Sequence, residues 1–337
     1  MRAALEHWLL ARWFGRPGLL WLAWPLELLY RAALLLRPLP SREHGSPPVI
    51  VVGNLAAGGS GKTPLVLALA AALRERGLRA GVISRGYGGS GPFPYRVHAG
   101  SDPAVCGDEP LLLARRAGIP VVVHPQRAQA LAVLAGEVDV VISDDGLQHR
   151  GLPRCVEIVV IDGRRGLGNG HCLPVGPLRE PPSRLERVDF RVANGTLAGP
   201  AAARLSRPVD VVMELVPCML RRVSDPAVTM DLPSFIRQHA GVHAVAGIGD
   251  PERFFITLRA AGLAVTGHPF PDHHRYTPGD FRMLAGEVVV MTEKDAVKCA
   301  GAAAGINAWY LEVEARLPAG FVDTLLARAG LQKEKSA

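Results

Sequence analysis

Several features are scarce in this chain of 337 residues, and each absence argues against a kind of site or partner. The five cysteines are odd in number, widely spaced and contain no C-x-x-C pair, which argues against a disulfide framework or a structural zinc site and favours a reducing cytosol. Aromatic residues make up only 6%, and no zinc-finger or RNA-recognition signature occurs, so no nucleic-acid partner is expected. No small-x-small cleavage site follows the apolar N-terminal run, which argues against a cleaved signal peptide.

What is present indicates a folded chain that is long enough for two domains. Hydrophobic residues make up 48% and charged residues 20%, which is not the composition of a disordered protein. The formal net charge of +7 is spread along the sequence and suits an anionic membrane or a phosphorylated substrate. The sequence shows no internal repeat and gives no sign of an obligate protein partner.

The N-terminal segment differs in composition from the rest of the chain. Residues 17–36 carry only two charges, Glu27 and Arg31, and about 20 apolar residues are enough to span a bilayer core of about 30 Å. Each charge would cost roughly 2.5–3.5 kcal/mol at the bilayer centre, although the two can pair at i and i+4, and Pro25 interrupts the run. We therefore expect a helix in the membrane interface or a shallow anchor, with a buried helical hairpin as the alternative. The arginines expected to meet anionic headgroups are Arg2, Arg12, Arg16, Arg31, Arg37 and Arg42.

A glycine-rich turn lies between an apolar run at residues 49–52 and a stretch that predicts a helix. Glycines allow successive backbone N–H groups to face phosphate oxygens, and a helix N-terminus adds partial positive charge. Lys62 would reach the β- and γ-phosphates, and the Thr63 hydroxyl would ligate Mg²⁺. The pattern predicts a nucleoside triphosphate site, although Ala56 replaces the first glycine of the usual motif; a glycine-rich connector without a ligand is the alternative. The residues of this predicted P-loop are Gly58, Gly59, Ser60, Gly61, Lys62 and Thr63.

Strands and helices are predicted to alternate from residue 49 onward. The predicted strands are 49–53, 80–84, 120–123, 138–143 and 156–161, and the predicted helices are 62–76, 108–117 and 126–135. The strands are continuous apolar runs, typical of a parallel sheet that is covered on both faces. The pattern predicts a doubly wound α/β fold of the P-loop NTPase type, followed by strand-like runs at 189–193 and 209–216 that would form a connecting ribbon.

A second alternation begins near residue 243 and predicts a smaller α/β domain. Its predicted strands are 243–248, 263–266, 287–291 and 308–313, and its predicted helices are 251–261, 278–284 and 319–329. The sequence thus divides into an N-terminal membrane-associated helical segment (1–40), a P-loop domain (41–205), a smaller α/β domain with the connecting ribbon (206–330) and a frayed tail (331–337).

Acidic residues follow the predicted strand 138–143. An apolar strand that ends in aspartate is typical of a Walker B element, whose carboxylate emerges beside the P-loop and holds Mg²⁺ directly or through water. Asp144 and Asp145 occupy these positions, and Gln148 and His149 follow shortly after them. The alternative is a polar turn after a strand.

Other polar residues are weaker signals when taken singly. Asp108 and Glu109 open a predicted helix, where acidic residues often serve only as caps. His273 stands beside a second histidine in a loop of the second domain, and paired histidines indicate a metal or acid–base site. Arg85, in a glycine-rich loop, and Arg127, near a helix start, would clamp phosphates, although exposed arginines are usually only solvated.

Two further segments have the composition of functional loops. Residues 168–180, which include Asn169, form a long run that is rich in turn residues, and ordered loops of this length are often functional. Residues 292–295 end a predicted strand and would form a substrate-facing turn or a helix cap. Neither segment identifies a chemistry by itself.

Together these ordered motifs resemble the tetraacyldisaccharide 4′-kinase family of lipid A biosynthesis. The family shares the missing first P-loop glycine, and Ala193 before Asn194 is a small departure, since a β-branched residue is expected there. The resemblance implies a two-domain, membrane-associated enzyme at the cytoplasmic face of the bacterial inner membrane. It would move the γ-phosphate of ATP to the 4′-hydroxyl of a tetraacylated glucosamine disaccharide 1-phosphate, the lipid A disaccharide. The resemblance rests on residues 52–55 (VGNL), 58–64 (GGSGKTP), 84–88 (SRGYG), 107–110 (GDEP), 144–149 (DDGLQH), 169–180, 246–249 (AGIG), 253–255 (RFF), 270–274 (FPDHH) and 292–295 (TEKD).

The resemblance implies roles for the candidate site residues. An enzyme that transfers a phosphoryl group mainly positions the reacting groups and neutralises their charge. Lys62 and the P-loop backbone would hold the phosphates of ATP. Asp108 is the candidate base, alone or coupled to His273, which would reach it on domain closure. The candidate Mg²⁺ ligands, directly or through water, are Thr63, Glu109 and Asp145. The residues expected to position substrate or phosphates are Asp144, Gln148, His149, Arg85, Arg127 and Asn169.

Two other functions explain part of the sequence. A membrane-associated switch ATPase of the partitioning type shares the Gly-Gly-x-Gly-Lys-Thr loop, but its signature lysine would stand where this chain has Ala57. A P-loop kinase for a soluble sugar or nucleoside explains the site residues but not residues 1–40. ATP-dependent dimerisation without a lipid product would favour the first, and activity on a water-soluble acceptor would favour the second.

Overall fold

The computed structural model of the chain describes residues 2–37, 47–299 and 301–331. Arg42, the side chain of Arg2, the predicted boundary between residues 40 and 41 and the tail beyond residue 331 lie outside the described residues. Within them, the strands are β1 (Val49–Gly53), β2 (Ala80–Ser84), β3 (Tyr95–Val97), β4 (Val121–Val123), β5 (Val140–Asp144), β6 (Val156–Asp162), β7 (Phe190–Asn194), β8 (Val211–Arg222), β9 (Thr229–Asp231), β10 (Gly241–Ala246), β11 (Ala264–Pro269), β12 (Val288–Thr292) and β13 (Asn307–Arg316).

The helices of the described residues alternate with these strands. The α-helices are α1 (Arg2–Trp13), α2 (Trp24–Leu35), α3 (Lys62–Glu75), α4 (Pro103–Cys106), α5 (Asp108–Ala117), α6 (Arg127–Leu134), α7 (Gly199–Ala203), α8 (Leu232–Gln238), α9 (Pro251–Ala260), α10 (Pro278–Phe281), α11 (Glu293–Cys299) and α12 (Phe321–Ala329). Short 3-10 helices occupy Gly18–Ala23, Pro182–Glu186 and Arg282–Leu284. The predicted helix 278–284 is thus an α-helical turn followed by a 3-10 turn.

The first half of the molecule is a mostly parallel sheet with helices on both faces. Its strand order is β3-β4-β2-β5-β1-β6-β7-β8, and β3 is its antiparallel edge strand. The central strands are buried along their whole length, as expected when helices cover both sides. This architecture confirms the predicted doubly wound sheet. Since β1 and β5 are parallel neighbours, the P-loop and the acidic turn after β5 emerge at the same sheet edge.

The second half is a smaller α/β unit that shares a strand with the first. The twelve-residue strand β8 pairs in parallel with β7 through its first residues and antiparallel with β13 through the rest. Beyond β13 the order continues β12-β10-β11, with parallel pairing. β7 and β8 occupy the two segments expected to form a connecting ribbon. The sheets of both halves are therefore continuous, and the division at residues 205 and 206 stays a prediction.

The core consists of apolar layers on each face of this long sheet. On one face α3 and α5 cover the parallel strands, and α12 returns to the same layer through Phe321 and Leu325. α6 covers the opposite face through Ala130 and Leu134. In the second half, α8 and α9 pack on one face of the sheet. The C-terminal helix thus stabilises the P-loop half, because its apolar side is buried there.

The N-terminal segment lies on the P-loop half with most of its apolar side chains exposed. Pro25 stands in the first turn of α2, so it begins this helix rather than interrupting one. Glu27 is buried, and Arg31 lies 3.7 Å from its carboxylate, as the i, i+4 spacing predicted. By length and composition alone, the stretch of residues 18–35 could cross a membrane. The exposed leucines of this stretch are Leu19, Leu22, Leu26, Leu28, Leu29 and Leu35.

Candidate active site

A cleft with a volume of about 1090 Å³ separates the two halves at the carboxyl edge of the parallel strands. The P-loop forms its floor, and α9, α11 and the loop after β11 face it from the second half. Tyr30 and Arg37 of the N-terminal segment line one end of the cleft. The predicted site residues that line it are Gly58, Gly59, Ser60, Gly61, Lys62, Thr63, Arg85, Glu109, Arg127, Asp145, Gln148, His149 and His273.

The P-loop has the backbone geometry that a phosphate site requires. Gly61 has a φ of +91° immediately before α3, a conformation that side chains disfavour. A side chain there would also collide with the Asn194 amide, whose Nδ2 donates to the Ser60 carbonyl at 3.0 Å. Asn194, at the end of β7, therefore fixes the loop conformation, and the P-loop and the first residues of α3 line the cleft.

Asp145 lies within an ion-pair network at the P-loop. It has a φ of +48°, which turns its side chain to Lys62, with 3.5 Å between Oδ1 and Nζ. The Arg179 guanidinium donates to both carboxylate oxygens, at 3.1 and 3.2 Å. Burial raises the pKa of Asp145, but the charges of Lys62 and Arg179 outweigh burial, so the pKa lies below its usual value. Asp145 is therefore ionised at neutral pH.

Asp144 lies deeper and has fewer partners. Its Oδ2 accepts a long hydrogen bond from Ser84 Oγ at 3.4 Å, and its buried Oδ1 has no hydrogen-bond partner among the described residues. Burial and the negative charge of Glu109 raise the pKa of Asp144 to about 7, against the positive charge of Lys62. A divalent cation would offset this repulsion and satisfy the unpartnered oxygen.

The predicted Mg²⁺ ligands carry the hard oxygen donors that this ion prefers. In the described residues Glu109 Oε1 accepts from Lys294 at 3.1 Å, while Asp145 is engaged by arginine and lysine. No group of three His, Cys, Asp or Glu side chains with metal-binding geometry occurs in the described ranges. The donor chemistry fits Mg²⁺. The unpartnered oxygen makes Asp144 a further candidate ligand, in addition to Thr63.

His273 lines the cleft from the second half and meets Asp108, which is buried at the start of α5 in the P-loop half. His273 has a φ of +58°, and its Nδ1 lies 3.2 Å from Asp108 Oδ2. The hydrogen bond to Asp108 raises the pKa of His273, although burial opposes it. For Asp108, burial raises the pKa, but the His273 hydrogen bond and the charge of Lys294 outweigh burial and lower the pKa to about 2. Asp108 is thus a carboxylate at neutral pH and holds the imidazole in a fixed orientation.

Lys294 is a site residue to which the sequence assigned no role. Its Nζ lies 3.1 Å from Glu109 Oε1, 3.3 Å from Asp272 Oδ1 and 3.5 Å from His273 Nε2. Burial lowers the pKa of Lys294, but the two carboxylates outweigh burial and raise it, so the ammonium persists. The available signal was its place in the segment 292–295, directly after a strand.

A second group of contacts seats the second half on the P-loop. Arg253 on α9 donates to Asp162 at 2.9 Å and to Asn194 Oδ1 at 2.6 Å. The Gly249 backbone, before α9, packs so closely that an added methyl group would lie 2.9 Å from the Gly59 nitrogen. The halves are therefore in contact on both sides of the cleft. Sequence reasoning missed Arg253, although it stands in the segment 253–255.

The remaining candidates differ in exposure to the cleft. Arg127 is buried and donates to the Asp144 carbonyl at 3.0 Å, so it supports the acidic turn. Gln148 Nε2 donates to the Asn54 carbonyl and to Glu180, both at 3.2 Å. Burial and the charges of Arg127 and Arg85 lower the pKa of His149 to about 4. His149 is therefore neutral at physiological pH and is free to donate one hydrogen bond and accept another.

The structure does not bring Asn169 to the cleft. The Asn169 side chain donates to the Val175 carbonyl at 3.0 Å and accepts from the His171 backbone N–H at 3.0 Å. The backbone N–H of Asn169 donates to the Trp13 carbonyl at 2.7 Å. These contacts order the loop that contains it, because they close the loop on itself and on α1. Any effect of Asn169 on substrate would pass through this loop.

The chain is similar in sequence to a defined set of proteins. A family model described as tetraacyldisaccharide-1-P 4′-kinase (LpxK) matches residues 19–330. A tetraacyldisaccharide 4′-kinase of Alcanivorax borkumensis is 47% identical over 333 residues, covering 97% of this chain and 98% of the relative. The same-named protein of Methylobacillus flagellatus is 46% identical over 345 residues, covering 99% of each chain.

The similarity extends to a solved structure. The chain matches the "apo" form of LpxK from Aquifex aeolicus in complex with ATP with a TM-score of 0.73 and 28% identity. The match covers 92% of this chain and 99% of the other. The shared architecture therefore includes both halves of the cleft.

Proposed function

Because the chain belongs to the tetraacyldisaccharide-1-phosphate 4′-kinase family, we propose that it uses the cleft to transfer the γ-phosphate of ATP to the 4′-hydroxyl of the lipid A disaccharide 1-phosphate. The observation that carries this proposal is the meeting of Asp108 and His273, from opposite halves, in the cleft floored by the P-loop. Phosphoryl transfer needs a held triphosphate and a positioned acceptor more than covalent chemistry. In this cleft the P-loop would hold the triphosphate, and the Asp108–His273 pair would position the acceptor.

The P-loop half would bind ATP through its phosphates. The N–H groups of residues 59–63 and the N-terminus of α3 meet phosphate oxygens, and Lys62 neutralises charge on the β- and γ-phosphates. The cleft continues from the P-loop along apolar side chains of β8 and α9, including Leu215, Pro217 and Phe254. A flat, apolar wall of this kind suits the adenine base.

The acceptor hydroxyl would lose its proton at the Asp108–His273 pair. Asp108 is ionised, and His273 is oriented by it, so either the carboxylate alone or the coupled pair takes the proton as the hydroxyl attacks. Lys294 holds Glu109 and Asp272 beside this pair and adds positive charge where the transferred phosphoryl group carries negative charge. Arg85, which lines the cleft from the P-loop half, would add a second cation.

Mg²⁺ is the cation that the donor set of this cleft fits. Thr63, Glu109 and Asp145 are the predicted ligands, directly or through water, and Asp144 joins them because of its unpartnered oxygen. When bound, such an ion would supply positive charge that offsets the negative charge on the phosphates and in the transition state. Arg127 would keep the acidic turn in place through its bond to the Asp144 carbonyl.

The N-terminal segment would bring the enzyme to its lipid substrate at the cytoplasmic face of the inner membrane. Its exposed leucines form a surface that suits the interface between headgroups and acyl chains. Arg12, Arg16 and Arg37 lie on the same segment and suit anionic headgroups. Since Tyr30 and Arg37 also line the cleft, the disaccharide would enter the site without leaving the membrane surface.

The test is phosphate transfer from labelled ATP to the tetraacyl disaccharide 1-phosphate in detergent micelles. We expect a bis-phosphorylated lipid from the wild-type protein and none from Lys62→Ala. Asp108→Ala and His273→Ala should depress turnover while ATP binding stays near the wild-type level. Intact ATP hydrolysis without lipid product would reject the lipid kinase function and favour a switch ATPase; a collapse of ATP affinity in the Asp108 or His273 variants would make these residues part of the nucleotide site.

A further inference from the structure

Glu27 is a buried carboxylate in α2, a helix whose only other charged residue is Arg31. It is 1% exposed, whereas Leu26 and Leu29 on the same helix are 57% and 67% exposed. A carboxylate that is removed from water needs charged or hydrogen-bonding partners. Helix α2 therefore turns Glu27 to the protein and most of its leucines away from it, so membrane binding does not explain this residue.

Besides Arg31 on the same helix, 3.7 Å away, the partners of Glu27 lie in the loop of residues 169–180, which we call the bridging loop. Glu27 Oε2 lies 2.9 Å from His171 Nδ1, and Oε1 accepts a hydrogen bond from the Cys172 amide at 2.9 Å. Trp21 adds an edge-on contact with the His171 ring, with 5.0 Å between centroids. The carboxylate thus fixes two successive residues of the bridging loop.

Other residues of the N-terminal segment hold the same loop farther along. Trp13 Nε1 donates to the Pro174 carbonyl at 3.0 Å. The Tyr30 hydroxyl donates to the Arg179 carbonyl at 2.8 Å. The bridging loop is therefore attached to α1 and α2 along its length.

The other side of the bridging loop contacts the active site. The Ala57 amide donates to the Pro177 carbonyl at 2.8 Å, which ties the loop to the segment that enters the P-loop. The Arg179 guanidinium bonds both carboxylate oxygens of Asp145, and Asp145 lies 3.5 Å from Lys62 Nζ. A continuous set of contacts thus leads from α2 through the bridging loop to the phosphate-binding lysine.

We propose that Glu27 is a positioning residue for phosphoryl transfer. It holds His171 and the Cys172 amide and thereby fixes the bridging loop, so that Arg179 orients Asp145 beside Lys62. The inference rests on the proposed function for the reaction that it serves, and it gives the N-terminal segment a second role besides membrane binding. Positioning at this level matters, because a displacement of about 1 Å in such a site costs roughly a hundredfold in rate.

A double-mutant cycle between Glu27 and Arg179 tests this coupling. We expect Glu27→Ala to lower kcat roughly tenfold in the wild-type background and less than about twofold in the Arg179→Ala background, because the two residues act through one contact. Vesicle binding should not change, since the leucines of α2 are intact. Asp323→Ala, which removes an exposed carboxylate from its pair with Arg76, is the matched control and should leave kcat unchanged. Additive effects of the two substitutions would overturn the proposal.

Amide hydrogen exchange provides a readout that does not depend on activity. We expect faster exchange of the amides of residues 171–179 in Glu27→Ala, with unchanged protection in α3. Glu27→Gln keeps the size of the side chain and should speed exchange of the same amides to a smaller extent. This second variant keeps the test valid if the alanine variant does not fold. Wild-type protection of residues 171–179 in both variants would overturn the proposal. Failure of the proposed function is distinguishable, because the wild-type protein would then yield no lipid product that depends on Lys62.

Discussion

At the scale of single residues, neighbouring groups shift the pKa values of two buried carboxylates in opposite directions. The pKa of Asp108 falls to about 2 because a histidine and Lys294 outweigh its burial, whereas that of Asp144 rises to about 7 because burial and Glu109 act together. A pair of groups whose environments separate their pKa values is the usual arrangement for acid–base and ligand roles within one site. We therefore propose that Asp108 with His273 takes the proton and that Asp144 binds a cation.

The first prediction concerns the pH dependence of turnover. His273 has a pKa above its ordinary 6.5, and its protonated form cannot accept a further proton. We expect kcat/KM to rise with pH across the titration range of histidine, about pH 5–8, with a midpoint above the ordinary value. Asp108→Asn should lower both this midpoint and kcat, because it removes the charge that favours the imidazolium. A flat wild-type profile would contradict the role of His273.

The second prediction concerns the P-loop backbone. Gly61→Ala should weaken ATP binding at least tenfold, because a left-handed conformation costs a non-glycine residue about 1–2 kcal/mol and the methyl group collides with the Asn194 amide. Gly136→Ala is the matched control, since Gly136 has a similar φ of +82° but open space around it. Calorimetric titration with a non-hydrolysable ATP analogue measures the difference. Equal losses in the two variants would show that the Asn194 contact does not matter.

At the scale of elements, the site is assembled by strand ends and the turns that follow them. β1 and β5 bring the P-loop and the acidic turn to one edge, because parallel neighbours end on the same side. From the second half, the turn after β10 places Gly249 on the P-loop, and α11, which begins directly after β12, places Lys294 in the cleft. Both halves thus use the carboxyl ends of parallel strands, and the shared strand β8 fixes how they face each other.

The third prediction concerns the turn between β10 and α9. Gly249→Ala should lower kcat roughly tenfold, because its methyl group would lie 2.9 Å from the Gly59 nitrogen and would push the second half away from the P-loop. Thermal stability should change little, since the substitution lies outside the core. Gly301→Ala, at a glycine with open space around it, is the control and should leave kcat unchanged. Full activity of Gly249→Ala would mean that turnover does not need this contact.

At the scale of the whole molecule, three parts converge on one cleft. The two α/β halves form its walls, and the N-terminal segment lines one end of it while exposing leucines to the outside. A lipid substrate has its reacting hydroxyl on a sugar and its acyl chains in the membrane, so such an enzyme must bind both environments at once. The arrangement explains why the apolar segment lies against the catalytic half instead of being an independent anchor.

The fourth prediction concerns membrane binding. Leu22 and Leu29 are 81% and 67% exposed. Replacing both by glutamate should weaken binding to anionic vesicles roughly a hundredfold or more, because each leucine buried in the interface contributes about 1.5–3 kcal/mol. Met283→Glu, an exposed apolar residue of the second half, should bind as the wild type does. Flotation with vesicles measures binding, and unchanged flotation of the leucine variant would place the anchor elsewhere.

Periodicity and local motifs determined most of the fold. The apolar runs predicted β1, β2 and β6 with almost the observed bounds, because strands buried on both faces need continuous hydrophobic sequence. The turn residues at Gly61 and the acidic residues at the end of β5 predicted a nucleotide site for the same local reason, and the structure brings both to one edge of the sheet. Short elements such as β3 and β9 were missed, since three residues at a sheet edge carry little periodic signal.

Tertiary structure decided which residues meet, because contacts between distant segments leave no local pattern. Asp108 and His273 are 165 positions apart, and only the continuous sheet brings them within 3.2 Å. Glu27 reads in the sequence as a charge that weakens a membrane helix, yet the fold buries it against residues 144 and 145 positions away. The sequence by itself determined the chemistry available to this protein, through residue types and their periodicity. The fold decided the charge state and partners of each group, since these depend on distance and burial, which strand pairing and packing set.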